Sequence, residues 1–175
     1  MKFTNGYWML REEINAAYAV EYSGHSINGN TLTVYLPGKH IASRGDALNI
    51  PMLTVTLSSP QEGIIKVSAV HHAGALYKGP FAEIKDENPQ VEITEKEDTL
   101  IFKSGNLKAV IDKAPNAYKL AFYDGDKFLT ESSYRNLAHM HNRDTGKNYM
   151  TEQLLIDVDE YVYGLGERFT PFVKN

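Results

Sequence analysis

Asn28-Gly29-Asn30-Thr31-Leu32-Thr33-Val34-Tyr35-Leu36 carries the reading on which the fold turns. Leu32, Val34 and Leu36 fall at every second position, with Thr31, Thr33 and Tyr35 between them. Successive side chains of an extended strand point to opposite faces, so one set can pack while the other meets water. The Asn-Gly-Asn ahead of the run accepts the positive φ that a tight hairpin turn demands.

The same period recurs on both sides. Leu53, Val55 and Leu57 alternate with Thr54, Thr56 and Ser58, and Ile65, Val67 and Ala69 with Lys66, Ser68 and Val70. Leu107, Ala109 and Ile111 repeat it, as do Tyr118, Leu120 and Phe122. Ser104-Gly105-Asn106 and Asp124-Gly125 supply further hairpin turns. Residues 52–71 read as a hairpin around Ser59-Pro60-Gln61-Glu62-Gly63, and residues 72–89 as a polar connection that crosses between sheets. Residues 11–17 are the one stretch read as helix, about two turns long. Short strands joined by hairpins imply an all-β fold, an antiparallel β-sandwich, with under about a tenth of its residues helical against a globular norm near one third. Some connections are too long for a closed barrel. No repeat or linker divides the chain, so residues 1–175 read as one domain.

A chain of 175 residues is long enough to build its own core, burying roughly 70% of its unfolded surface at that size. Its net charge of -4 is scattered in both signs, which argues against a nucleic-acid partner. The absence of cysteine excludes a disulfide framework, a thiol nucleophile and a cysteine zinc site. No run approaches the eighteen or so apolar residues of a membrane helix, and Met1-Lys2-Phe3-Thr4-Asn5-Gly6 lacks a signal-peptide core. The expectation is a cytoplasmic protein with no membrane partner.

Chemistry-bearing residues are sparse. His139 and His141 would share one face of a strand, with Asp144 or Glu152 as further ligands. A metal needs three or four converging ligands, so no metal is assigned. His71 and His72 are neighbours and would face opposite ways. Glu92, Glu95, Glu97 and Asp98 surround Lys96 and read as a solvated edge that discourages edge-to-edge pairing. No pair of carboxylates has a context that forces glycosidase geometry, and no Gly-x-Ser-x-Gly elbow occurs.

Gly164-Leu165-Gly166-Glu167-Arg168-Phe169 places Phe169 where a dinucleotide loop has its third glycine, and no βαβ unit surrounds it. Two glycines permit a sharp turn and a close approach to a neighbour. Glu167 and Arg168 can form an ion pair beside it, and Phe169 offers a flat apolar face. Glu167, Arg168 and Phe169 are therefore the substrate-pocket or domain-junction candidates.

Val162-Tyr163-Gly164-Leu165-Gly166-Glu167-Arg168-Phe169 resembles the signature that closes the early N-terminal region of family 31 glycoside hydrolases. Ser59-Pro60-Gln61-Glu62-Gly63-Ile64, Phe102-Lys103-Ser104-Gly105-Asn106-Leu107 and Asn148-Tyr149-Met150 resemble the α-xylosidase branch in order and spacing. Asn5-Gly6-Tyr7-Trp8 is similar to its Gly-aromatic start. The resemblance implies a galactose-mutarotase-like sandwich ahead of a (β/α)₈ barrel that carries two catalytic aspartates of a retaining mechanism. No aspartate here matches those motifs, so the resemblance assigns this chain no catalytic residue and no cofactor, and the carbohydrate substrate would be met through the barrel. It further implies a sandwich incomplete at its C-terminal end, with an uncovered edge or apolar face that recruits partners, and hence a homo-oligomer. The alternatives are a free-standing carbohydrate-binding sandwich, with Trp8 or Tyr77 stacking on sugar rings, and an oligomerisation module.

Overall fold

The computed structural model describes residues 2–6, 8–71, 85, 87–115, 117–164, 166 and 173. The strands in chain order are β1 (Thr4–Asn5), β2 (Met9–Leu10), β3 (Ile14–Tyr18), β4 (Gly24–Asn28) and β5 (Thr31–Pro37). Then come β6 (Met52–Ser58), β7 (Lys66–Val70), β8 (Glu92–Glu95), β9 (Thr99–Ser104) and β10 (Leu107–Asp112). β11 (Leu120–Asp124), β12 (Lys127–Ser132), β13 (Ala138–Asn142) and β14 (Asn148–Thr151) complete the set. They form a four-stranded sheet β4-β5-β6-β7, a five-stranded sheet β12-β11-β10-β9-β8, a three-stranded sheet β14-β13-β3 and the hairpin β1-β2. Every pairing among the named strands is antiparallel, as the sequence period requires.

The core forms where the two large sheets face each other. Leu32, Val34 and Leu36 of β5 and Leu53, Val55 and Leu57 of β6 are buried in one cluster with Leu100, Phe102, Ala109, Ile111 and Leu120 of the opposite sheet. Register keeps the apolar sets together: Leu32 sits opposite Leu57, Val34 opposite Val55 and Leu36 opposite Leu53. Gly29, Gly105 and Gly125 all adopt positive φ at the three expected turns. The alternation weakens at β7. Ile65 and Ala69 pack against the core, but Val67 stays 40% exposed because β7, among the described residues, is an edge strand with β6 as its one neighbour.

The helix expected over residues 11–17 is not formed. β3 occupies that region and pairs with β13 from Ile14 opposite Asn142 to Tyr18 opposite Ala138. Helix propensity is a weak bias, and a full strand ladder with a buried Ile14 overrides that of the alanines at 16 and 17. The one helical element among the described residues is a short 3₁₀ turn, Arg44–Ala47. The connection expected over residues 72–89 lies mostly outside the described residues.

Two features join the layers. The segment after β3 stitches three sheets: Ala19 N–H donates to Leu137 C=O, Val20 N–H to Pro37 C=O, and Tyr118 N–H to Val20 C=O. Across the sandwich, the β6–β7 turn meets the β9–β10 turn through a buried serine pair, Ser59 Oγ and Ser104 Oγ 2.8 Å apart. Ser59 spends its proton on Gln61 C=O at 2.7 Å, so Ser104 donates to Ser59 and in turn accepts from Gly63 N–H at 3.1 Å. Gly105 belongs to the same contact, since a Cβ there would lie 3.1 Å from Glu62 Cγ. Two segments that carried the family resemblance are thus one structural joint.

Phe102 has no exposed surface, so Phe102→Ala should cost about 3–5 kcal/mol. Ser104→Ala should cost about 1–3 kcal/mol by stranding the groups it satisfies. Urea denaturation of both variants checks this: the midpoint should fall in each while the slope stays that of the parent chain.

Candidate functional site

The glycine turn lies at the surface. Gly164 and Gly166 each adopt φ +83°, a backbone conformation costly for a residue with a Cβ. Among the described residues nothing comes within 4 Å of a Cβ built at either position. Among the described residues, then, what these glycines visibly serve is the backbone angle. An antiparallel bridge between Tyr163 and Val173 closes the turn. Glu167, Arg168 and Phe169 lie outside the described residues. Leading into the turn is an apolar run, with Leu154, Leu155, Ile156, Val158, Tyr161 and Tyr163 all exposed. Its start lies along the edge strand β12, where Leu155 N–H donates to Glu131 C=O and Thr130 Oγ1 to Leu155 C=O.

His139 and His141 share a face of β13, but Asp144 and Glu152 do not join them. Asp144 sits in the β13–β14 turn, which Asn142 Oδ1 holds by accepting from Thr145 N–H. The Glu152 carboxyl turns toward buried Ser132, which also bonds the Tyr118 hydroxyl at 3.0 Å. Glu152 is exposed as a residue, yet its carboxyl end is partly withdrawn from water, and this desolvation raises its pKa. The partner that His139 does acquire is His71, with ring centroids 4.3 Å apart. His141 Nδ1 donates to Asn148 Oδ1 at 2.9 Å. Desolvation, then His71, push the His139 pKa down, a hydrogen bond to Asn148 opposes them, and His141 lowers it further. Among the described residues no group of three or more His, Cys, Asp or Glu side chains is arranged to hold a metal. Sequence spacing gave no sign of the His71–His139 contact, because it joins the residue after β7 to β13, far apart in the chain.

Glu92, Glu95 and Glu21 are engaged structurally. Glu92 and Glu95 lie on the edge strand β8, where Glu92 faces Lys103 at 3.6 Å and Glu95 faces Lys113 at 2.7 Å. The hydrogen bond from Lys113 holds the Glu95 carboxyl below the usual carboxylate range. Buried Glu21 accepts from Ile41 N–H at 3.0 Å and meets His40 Nδ1 at 2.6 Å, which fastens the loop after β5. No motif marks Glu21, and only its burial reveals it. Trp8 stands 80% exposed beside the β1–β2 hairpin, and Tyr77 lies outside the described residues.

An antiparallel sandwich of this construction, closing on a double-glycine turn, defines the class of protein. Residues 54–175 match the family described as Glycosyl hydrolase 31 N-terminal galactose mutarotase-like domain, and the chain belongs to that family. It is 40% identical over its whole length to the α-xylosidase XylQ of Lactiplantibacillus pentosus, of which it covers 23%. It is 36% identical to an α-xylosidase of Emericella nidulans, covering all of this chain and 25% of that protein. The chain thus spans about a quarter of the length of these curated relatives. Among solved structures, a Flavobacterium johnsoniae GH31 dextranase superposes with a TM-score of 0.61 at 18% identity, over 89% of this chain and 17% of the dextranase. The cycloalternan-forming enzyme of Listeria monocytogenes gives 0.63 at 17% identity, over 91% of this chain and 14% of that enzyme. At these identities the two structures speak for the fold.

The depressed His139 pKa has a signed consequence. The folded chain binds that proton less readily than the unfolded chain, whose histidine titrates near about pH 6.5. The stability it contributes is complete above that value and is lost as pH falls through the folded pKa. Glu152, with its pKa raised, works in the opposite sense. His139→Gln should therefore flatten the fall in Tm between about pH 7 and about pH 5, as read by thermal denaturation across a pH series.

Proposed function

We propose that this chain is the non-catalytic N-terminal portion of a retaining, exo-acting α-glycosidase that releases terminal α-xylosyl residues. The supporting observation is the 40% and 36% identity to two α-xylosidases, running along the entire chain. Hydrolysis of a glycosidic bond needs two carboxylates facing each other across it. Glu21, Glu92 and Glu95 are instead committed to histidine, lysine and backbone partners, which suits a supporting role. In this reading the chain works in the cytoplasm and meets carbohydrate only together with the barrel. Its Gly164 turn lies at the junction, where Arg168 pairs across it and Glu167 and Phe169 help shape the active-site mouth. The exposed apolar run from Leu154 to Tyr163 favours self-association of the chain when it stands alone. A second reading, a free-standing sugar-binding sandwich, is favoured by the exposure of Trp8.

Three measurements test the proposal. The full-length polypeptide should hydrolyse aryl α-xylosides and the isolated chain should not. Turnover by the pure chain, abolished by a substitution within it, would overturn the assignment. Arg168→Ala should lower the activity or assembly of the full-length enzyme, because breaking a buried pair costs roughly 3–5 kcal/mol. The same substitution should leave the melting temperature of the isolated chain unchanged, and unfolding of the chain with intact full-length kinetics would make the turn merely structural. Sedimentation of the isolated chain should show self-association that Leu155→Lys weakens, and a clean monomer at high concentration would remove that part of the reading.

A further inference from the structure

Next to the segment that stitches three sheets lies a cavity of about 270 Å³, walled by Tyr18, Val20, Gly38, Tyr118, Tyr134 and Arg135. A smaller one of about 130 Å³ shares Tyr18 and Arg135 and adds Lys2, Thr4, Thr151 and Gln153. Arg135 is the hinge between them. Its guanidinium carbon lies 5.8 Å from the centre of the Tyr18 ring and 5.2 Å from that of Tyr134. At these distances both rings attract the guanidinium as a cation over their π-systems, and its planar N–H fork is the group suited to a planar acceptor. No Asp or Glu among the described residues lines either cavity, and Lys2 adds a second positive charge, its ammonium 3.8 Å from the centre of the Tyr149 ring.

The backbone singles out the same residue. Asn136 N–H donates to Ser133 C=O at 3.0 Å, closing a turn in which Arg135 sits at φ 64°. Glycine is the relaxed choice at such a position, so the chain holds an arginine there against its backbone preference. Tyr134, beside it, is 76% exposed, an aromatic face open to solvent.

We propose that the larger cavity, with the smaller one adjoining it at Tyr18 and Arg135, forms a subsite for an acidic monosaccharide, a hexuronate, with its ring against Tyr18 and Tyr134 and its carboxylate in the Arg135 fork. A guanidinium edge matches a carboxylate in two parallel hydrogen bonds, a geometry that a neutral sugar does not offer. Thr151 and Gln153 supply donors and acceptors for ring hydroxyls, which favours a polyhydroxylated ligand over an apolar acid. The volume lies at the small end of ligand sites and suits one ring. The subsite stands independently of the α-xylosidase reading, since it uses only residues of this chain.

The test is a nuclear magnetic resonance titration of the chain with D-glucuronate, methyl α-D-glucoside and inorganic phosphate. Glucuronate should shift the amides of Tyr18, Val20, Tyr134 and Arg135, and the other two should bind at least about tenfold more weakly. Arg135→Gly, which relaxes the turn and so keeps the fold, should weaken glucuronate at least about tenfold. Tyr134→Ala should weaken it while leaving phosphate unchanged. Phosphate or the neutral glucoside binding as tightly as glucuronate would overturn the proposal. So would full affinity in Arg135→Gly, or no shifts at these amides.

Discussion

Leu32, Val34, Leu36, Leu53, Val55 and Leu57 escape water only because Leu100, Phe102, Ala109, Ile111 and Leu120 close over them from the opposite sheet. Burying each of the larger side chains contributes roughly 1.5–3 kcal/mol, so this face-to-face contact is the main favourable term in the fold. It also fixes register. A slip of one residue along β5 or β6 would turn all three apolar side chains of that strand outward. Turn geometry, edge placement and the stitch through Val20 all work within the limits set by that contact.

The polar groups inside the sandwich follow from the same constraint. Turns at the end of a dry core must satisfy their backbone groups without water, and Ser59 and Ser104 do so by passing hydrogen bonds in one direction. Among the described residues no buried side-chain nitrogen or oxygen lacks a hydrogen-bond partner. Glu21 is handled likewise, its carboxylate bound to a backbone N–H and a histidine. Such joints give the Ser59–Gly63 and Ser104–Asn106 turns a structural role, since together they close one end of the core.

Charge and exposure separate the surfaces by use. The β8 edge is guarded by glutamates paired to lysines, which protects it against further strand pairing. The β12 edge is partly taken by the segment at Leu155, followed by exposed apolar residues on the way to Gly164. One edge is thus kept for solvent, and the other offers apolar surface for contact. The Arg135 cavities include Lys2, Arg135 and several aromatic rings in their lining, without a balancing acid among the described residues.

The period of two, read in five separate runs, was enough to determine an antiparallel all-β chain, because alternation in sequence is alternation of faces in any strand. Asn28-Gly29, Ser104-Gly105 and Asp124-Gly125 located their turns because positive φ is a local requirement. The family was legible for a related reason: its motifs are local turns and their flanks. Residues 11–17 were misread because alanine favours helix only until a partner strand is present, and β13 lies more than a hundred residues away in the chain. Val67 was misplaced because burial at an edge depends on what stands beside the strand, which its own residues do not record. The contact of His71 with His139, the retreat of Glu152 toward Ser132 and the approach of Arg135 to the rings of Tyr18 and Tyr134 were likewise decided only by tertiary structure. Each depends on the distance between residues remote in sequence, and that distance is set when the sheets pack.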